Sequence, residues 1–141
     1  MANNYFLYFC SQNFKKMTEN EISKIVVDAA VKVHKFLGPG LLEKTYQECL
    51  YYELISRGLR VEKEKYLSIN YYDIEIEHAF RIDLLVNQKV VIEIKSVASI
   101  MGIHLAQTMT YLRLGGYKLG LLMNFNVELM KNGIQRVVNG L

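Results

Sequence analysis

In the first part of the chain, apolar residues recur every three or four positions, as in an amphipathic helix. The apolar residues of segment 22–36 follow this spacing, and Thr18 and Glu21 before it have the spacing of a capping box. This predicts a helix that ends at the turn 38–40, which has the sequence Gly-Pro-Gly. A second helix, ending near Gly58, is predicted by another apolar stripe. That stripe consists of Leu42, Tyr46, Leu50 and Leu54.

After Gly58 the period of the pattern falls to two, which is typical of half-buried strands. Four successive strands are predicted, at 61–69, 72–76, 80–86 and 90–95. A helix marked by Leu105, Met109 and Leu112 follows and ends at 115–116. The nearly all-apolar segment 119–123 predicts a buried parallel strand, and 134–138 an edge strand after a helical turn at 127–131. This order predicts an α/β fold with a mixed sheet.

The composition is that of a folded globular protein: of 141 residues, 51% are hydrophobic and 22% are charged. A net charge of +3 leaves room for a local basic patch and does not favour a basic substrate. Cys10 and Cys49 lack metal-site spacing, which argues against a disulfide-linked partner and indicates a cytoplasmic location. No stretch of about 18 apolar residues is present, so no membrane partner is expected.

The N-terminal segment 1–16 differs from the rest of the chain. Its apolar run at 5–10 has no basic lead-in and is too short to span a bilayer. Segment 1–16 is therefore interpreted as an extension and 17–141 as a single domain. The alternative is that the segment forms an extra strand or an interface arm.

Candidate chemistry lies on the fourth predicted strand, where Glu93 and Lys95 share one face. A three-residue loop at 87–89 would pair Val86 with Val90 and hence Asp83 with Glu93. A two-residue loop would put Asp83 opposite Ile92, with Glu93 on the other face. The three-residue loop is favoured because it keeps both carboxylates together and away from the hydrophobic face.

Two carboxylates about 5 Å apart repel each other by roughly 3 kcal/mol at an effective dielectric constant near 20. A raised pKa, the charge of Lys95 or a bound cation must offset this repulsion. Oxygen ligands suit Mg²⁺ or Mn²⁺, and Lys95 beside a metal could orient a water or neutralise a transition-state oxyanion. The alternative interpretation of Glu93 and Lys95 is a solvated charge pair.

Five motifs occur in a fixed order along the chain. They are Gly40-Leu41-Leu42-Glu43-Lys44-Thr45-Tyr46, Arg81-Ile82-Asp83-Leu84-Leu85-Val86, Glu93-Ile94-Lys95, Gln107-x₃-Tyr111-Leu112-Arg113 and Leu121-Leu122-Met123-Asn124-Phe125. Together they resemble the GxxExxY family, which is placed in the PD-(D/E)XK nuclease-like superfamily. The resemblance extends from about Thr18 to Val138.

This resemblance implies a restriction-endonuclease-like fold, with a mixed central sheet flanked by helices. Asp83 and Glu93 match the superfamily's metal-binding acids and Lys95 its catalytic lysine. Glu43 matches an acid supplied by the early helix, for metal binding or catalysis, and Gln107 a polar residue on the helix after the core strands. Ile82 stands where the superfamily often has proline before the first acid.

The leading hypothesis is therefore a Mg²⁺-dependent (or Mn²⁺-dependent) nuclease that hydrolyses phosphodiester bonds in DNA or RNA. Its expected partners are nucleic acid and a second copy, because so small a chain is not expected to surround a duplex alone. One alternative is a non-catalytic module of the same fold that binds nucleic acid or protein. Another is a structural ion-pair network in a small homo-oligomer.

Several candidate residues also have simpler interpretations. Glu43 in the first turn of a helix would be stabilised by the helix dipole alone, and Tyr46 lies on an apolar stripe that indicates core packing. Gln107 could bind Lys95 or a phosphate, or face solvent. Four basic residues could form a row that binds the phosphates of a nucleic-acid backbone, or could simply be solvated side chains at the surface. They are Lys63, Lys65, Arg81 and Arg113.

Overall fold

The structure, a computed structural model, describes residues 16–141. The interpretation of 1–16 as an extension therefore falls almost entirely outside the described residues. Helices α1 (Glu19–Leu37) and α2 (Glu43–Ser56) are followed by strands β1 (Val61–Tyr71), β2 (Ile74–Val86) and β3 (Val90–Lys95). Helix α3 (Gly102–Gly115), strand β4 (Leu119–Asn124), a 3₁₀ turn (Met130–Asn132) and strand β5 (Ile134–Val138) complete the described chain.

The five strands form one mixed sheet in the order β1-β2-β3-β4-β5. Strands β3 and β4 are parallel, and the other neighbours are antiparallel. Helices α1 and α2 cover one face, whose core includes Val26, Leu50, Ile92 and Leu121. Helix α3 covers the other face, whose smaller core includes Leu85, Val91 and Leu112. The predicted α/β fold, with a mixed sheet flanked by helices, is confirmed, as are the buried parallel strand and the final edge strand.

The prediction of separate strands at 72–76 and 80–86 is wrong, because both belong to β2. Strand β1 turns at Tyr72-Asp73 and pairs with β2 along nearly its whole length. The register shifts between Leu67 and Ile69, and His78 opposite has a positive φ of 51°. A β-bulge therefore causes the break in the alternating pattern. The helical turn predicted at 127–131 is a 3₁₀ turn at Met130–Asn132, which begins three residues later and ends one residue later than predicted.

Helix α1 begins as predicted, with the Thr18 side chain and the Glu21 carboxylate forming a reciprocal capping box. Two apolar residues of the predicted stripes are nevertheless not in the core: Phe36 is 89% exposed and Leu42 is 77% exposed. Leu42 is the N-cap of α2 and has an extended backbone, so it does not continue the helical stripe. Phe36 instead lines a groove between α1 and α2.

Within the described residues, no helix is both long enough and apolar enough to cross a membrane. Cys49 is a free thiol. Cys10 lies outside the described residues.

Candidate active site

The hairpin that joins β2 and β3 determines which side chains meet. Val86 pairs with Val90 across a three-residue loop, which confirms the favoured register. The backbone ladder continues only as far as the pair Leu84 and Ile92. Beyond that pair the two strands separate, and the candidate acids lie at this point of separation.

Asp83 and Glu93 are linked across the gap between the separating strands. The amide of Asp83 donates a hydrogen bond to Oε1 of Glu93 (3.2 Å), and the amide of Ile94 donates to Oδ2 of Asp83 (2.9 Å). The carboxylates thus satisfy backbone amides that would otherwise lose their partners where the ladder ends. This interaction brings the two acids side by side, as the register predicted.

Lys95 lies two residues beyond Glu93 and on the same face of β3. Its Nζ donates a hydrogen bond to Oε1 of Gln107 on α3, over 3.4 Å. Among the ion pairs of the described residues, none within 4.0 Å joins Lys95 to Asp83 or Glu93. The positive charge of Lys95 is near enough to lower the pKa of both acids. Its ammonium group, however, is hydrogen-bonded to the neutral side-chain amide of Gln107.

Glu43 approaches the same end of β3 from the opposite face of the sheet. It is the first residue of α2, and its Oε1 accepts a hydrogen bond from the amide of Ser96 (3.3 Å). Its charge raises the pKa of Asp83. In the described part of the chain, however, no three acidic, histidine or cysteine side chains come close enough together to hold a metal ion. Glu43 therefore stands apart from the Asp83–Glu93 pair.

Tyr46 explains the spacing of the Gly40-x₂-Glu43-x₂-Tyr46 motif. Its buried ring stacks on Phe125, with centroids 4.5 Å apart. Its hydroxyl donates to the carbonyl of Gly38 (2.6 Å) and accepts from the amide of Leu41 (3.1 Å). These bonds fix the loop that leads into α2, including Gly40 with its positive φ of 95°. The core-packing interpretation of Tyr46 fits, and this packing also positions Glu43.

Asn124, whose function the sequence did not suggest, holds the backbone that follows Lys95. It is 2% exposed, and its amide side chain bonds both the N–H (3.1 Å) and the carbonyl (3.0 Å) of Val97. Next to it, the Phe125 amide donates to the carbonyl of Lys95 (2.9 Å). The sequence feature that could have indicated this role of Asn124 is its position as a polar residue at the end of the otherwise apolar strand β4.

Burial dominates the electrostatics of the acid pair. Glu93 is 4% exposed, and this burial, reinforced by the charge of Asp83, raises its pKa to about 8. Burial likewise raises the pKa of Asp83, against the opposing effect of the Ile94 amide. A buried Glu93 beside a half-buried Asp83, both with a raised pKa, favours a cation as a replacement for the proton. Their oxygen donors are the type that Mg²⁺ and Mn²⁺ prefer, so the donor set fits a divalent metal.

Two further side chains border the acid pair. Arg81 places Nη2 3.5 Å from Oδ1 of Asp83 and Nη1 3.7 Å from Oε1 of Glu64. Tyr111, one turn after Gln107 on α3, stacks on Phe80 with centroids 4.8 Å apart. Burial, followed by the charges of the acid pair, raises the pKa of Tyr111.

Of the basic residues considered for a phosphate track, Arg81 is the one that contacts a candidate acid. Lys63 and Lys65 instead pair with Glu48 and Glu62 (3.0 and 2.8 Å). The available sequence signal was that Arg81 and Asp83 are two residues apart on one strand and therefore share a face.

A mixed sheet whose central strands separate at a pair of acids, followed by a lysine, is the architecture of a restriction-endonuclease-like protein. The sequence profile of the PD-(D/E)XK nuclease superfamily matches residues 20–137, and the chain belongs to that superfamily. The solved structure titled "Crystal structure of SSO0001" has the same fold, with a TM-score of 0.54 and 18% sequence identity over 100% of this chain and 79% of that chain. No curated protein matches the sequence.

Proposed function

We propose that the protein is a Mg²⁺- or Mn²⁺-dependent nuclease of the GxxExxY family that hydrolyses phosphodiester bonds in DNA or RNA. Membership of the nuclease superfamily supports nuclease activity in general. The observation that carries the specific proposal is the pair formed by the half-buried Asp83 and the buried Glu93, with Lys95 beside it on the same face. Burying two like charges is costly unless a cation occupies the site.

In this proposal Asp83 and Glu93 hold the metal and Glu43 acts as an outer ligand. A bound divalent ion would polarise a phosphoryl oxygen and lower the pKa of a coordinated water. Lys95 is a triple donor that can orient the attacking water and stabilise negative charge on the phosphoryl oxygens. Gln107 keeps the Lys95 ammonium in place, and the half-exposed Arg81 guanidinium is available to a substrate phosphate.

The position of Lys95 argues against a purely structural ion-pair network. In such a network the ammonium would sit on one of the acids, since an unpaired buried carboxylate is destabilising. Instead Lys95 binds the Gln107 amide, and Arg81 lies at 3.5 Å from Asp83 near the surface. The acids thus retain oxygen lone pairs for a ligand.

The alternative function is a non-catalytic module of the same fold that binds nucleic acid or protein. The separation of Glu43 from the acid pair favours it, because among the described residues no third acid completes a metal cluster. The two carboxylates at the proposed phosphate position argue against a module that binds nucleic acid, because they repel a phosphate unless a cation is present. Under the nuclease function, a cytoplasmic homodimer is our expectation.

Cleavage assays separate these functions. Purified wild type is incubated with single- and double-stranded DNA and with RNA, in Mg²⁺, Mn²⁺ or EDTA. We expect metal-dependent cleavage, a loss of about 10²- to 10⁴-fold in Lys95→Met, and a smaller loss in Gln107→Ala. The matched control Lys118→Met changes an exposed lysine and should retain activity. Wild type that binds nucleic acid yet cleaves none of these substrates with either metal would favour the binding module.

A further inference from the structure

Strands β1 and β2 extend well beyond the rest of the sheet. Pairing of β2 with β3 ends at Leu84, whereas β1 and β2 remain paired as far as Tyr71 and Ile74. Residues 66–81 thus form a two-stranded ribbon. The candidate acids lie at the inner end of this ribbon, because Asp83 follows it two residues later on β2. Side chains on the inner part of the ribbon are therefore neighbours of the proposed metal site.

An exposed aromatic pair lies on the inner part of the ribbon. The rings of Tyr66 and His78 are in contact, with centroids 4.8 Å apart and ring planes inclined at 44°. Tyr66 is 54% exposed, and His78 is exposed as well. His78 has its positive φ of 51° at the bulge, and bulges re-aim the side chains that they carry. The bulge thus places the imidazole against the Tyr66 ring.

Arg81 connects this aromatic pair to the acids. It lies directly opposite Tyr66 in the β1–β2 ladder, so the two side chains share a face. Its Nη2 is 3.5 Å from Oδ1 of Asp83. Because a strand rises about 3.3 Å per residue, the step from Arg81 to Asp83 covers roughly 7 Å along β2. A single nucleotide can bridge the distance between the Tyr66 ring and the acids.

The guanidinium group of Arg81 is available to a phosphate. Its second acidic neighbour, Glu64, lies 3.7 Å away and is already paired with Lys44 at 2.6 Å. The Arg81 side chain is 43% exposed, and guanidinium groups bind phosphates through paired N–H donors. An exposed aromatic surface, a phosphate-binding group and the acid pair therefore follow one another at the inner end of the ribbon.

The outer part of the ribbon restricts what this surface can bind. Asp73, Glu75 and Glu77 are acidic, and the sequence has no lysine or arginine from residue 66 to residue 80. These acids repel a phosphate backbone that continues outwards along the ribbon. Bases inside a duplex are stacked on one another, so the face of the Tyr66 ring can accept only a base that has left the stack. The surface therefore fits a single unpaired nucleotide.

We propose that Tyr66 and His78 form a binding site for one unpaired nucleobase beside the phosphate that Arg81 contacts, and that the substrate is single-stranded nucleic acid. Stacking on an aromatic ring tolerates every base, so no sequence preference is expected at this position. The site rests on the proposed function, because Asp83 and Glu93 define where the scissile phosphate lies. The simpler interpretation is a cross-strand pair that only stabilises the ribbon.

Binding of short labelled oligonucleotides tests the base site. The full chain carrying Lys95→Met is titrated in Mn²⁺ onto single strands and onto a duplex of the same sequence, and fluorescence anisotropy is measured. Single strands should bind more tightly, and adding Tyr66→Leu should weaken their binding by about 5- to 20-fold without changing duplex binding. Tyr66→Phe keeps the ring and should bind as before.

Tyr71→Leu is the matched control for this titration, because Tyr71 is 62% exposed at the outer end of the same ribbon. It should leave single-strand binding unchanged. Equal weakening by Tyr66→Leu and Tyr71→Leu, or equal affinity for single strands and duplex, would overturn the proposal.

A fluorescent adenine analogue in the single strand reports the stacking itself. Placed at successive positions of the strand, it should be quenched at the position that reaches Tyr66. The quenching should disappear in Tyr66→Leu and weaken in His78→Asn, since asparagine tolerates the positive φ at this position but has no ring. If the pair only stabilises the ribbon, Tyr66→Leu lowers the melting temperature and leaves the quenching unchanged, which would contradict the base site.

The base site and the proposed nuclease activity fail in different ways. Wild type that cleaves nucleic acid but shows no quenching dependent on Tyr66 refutes the base site and leaves the nuclease intact. Wild type that binds single strands through Tyr66 but cleaves nothing supports the base site and refutes the nuclease. Wild type that binds neither single-stranded DNA nor RNA overturns the base site.

Discussion

Glu93 accepts a hydrogen bond from the backbone amide of Asp83 at the point where β2 and β3 separate, with N and Oε1 3.2 Å apart. The carboxylate of Asp83 in turn accepts from the amide of Ile94 (2.9 Å). The end of a β-ladder thus holds two acids side by side. Each carboxylate has about four acceptor sites, so the backbone bonds leave oxygen lone pairs available to a cation.

The raised pKa of Glu93 makes the stability of the metal-free protein depend on pH. Its pKa is about 8 in the folded state, against roughly 4.3 in an unfolded chain. Between these values the folded state holds a proton that the unfolded state has lost. Stability is therefore highest at low pH within this window and falls as the pH rises, by at most about 1.4 kcal/mol per pH unit.

Urea unfolding in EDTA between pH 5 and 8 measures this dependence. Glu93→Gln should flatten the slope, whereas Glu128→Gln, which changes an exposed acid, should leave it unchanged. Equal slopes in wild type and Glu93→Gln would show that this carboxyl is ionised in the folded, metal-free protein.

Tyr46→Phe tests whether the tyrosine hydroxyl positions Glu43. The variant keeps the ring that stacks on Phe125 but removes the bonds to Gly38 and Leu41. We expect unfolding free energy to fall by about 1–3 kcal/mol and cleavage to weaken, since the start of α2 loses its brace. Tyr52→Phe changes an exposed tyrosine and should cost less than about 0.5 kcal/mol. Similar small effects in both variants would refute the bracing role.

The sequence was sufficient to predict that Asp83 lies beside Glu93, because loop length and strand alternation together determine the register. Within residues 16–141 it was also sufficient to predict the capping box, the three α-helices and the buried parallel strand. The continuity of β2 could not be predicted, since a bulge and a turn produce similar breaks in an alternating pattern. The bonds of Asn124 to Val97 depend on tertiary packing, which spacing along the chain does not report. The contact of Arg81 with Asp83 is local, since residues two apart on a strand share a face, and their spacing was an available signal for it.

Removing residues 1–16 tests the predicted domain boundary. Met17 already contacts the domain, because its carbonyl accepts a hydrogen bond from Lys89 (2.6 Å). A chain beginning at Met17 should therefore melt within a few degrees of the full chain, as measured by circular dichroism. A larger loss would mean that 1–16 packs on the core or at an interface, as the alternative interpretation holds.

The most direct test of a pre-built metal site is the thermal stability of Asp83→Asn with and without metal. The substitution removes the charge that, together with burial, raises the pKa of Glu93, and it keeps an oxygen acceptor for the Ile94 amide. In EDTA the variant should be as stable as wild type or slightly more stable. Mn²⁺ at about 100 times its Kd should stabilise wild type by roughly 2.7 kcal/mol but stabilise the variant much less, and phosphodiester cleavage should disappear in parallel.

Asp73→Asn, at the turn of the ribbon, is the matched control for this measurement and should respond to Mn²⁺ as wild type does. A structural ion-pair network predicts the opposite pattern, because loss of one partner leaves the other charges buried and uncompensated. If Asp83→Asn is destabilised equally in EDTA and in Mn²⁺, and wild type neither gains stability from metal nor cleaves nucleic acid, the metal-dependent nuclease account is contradicted.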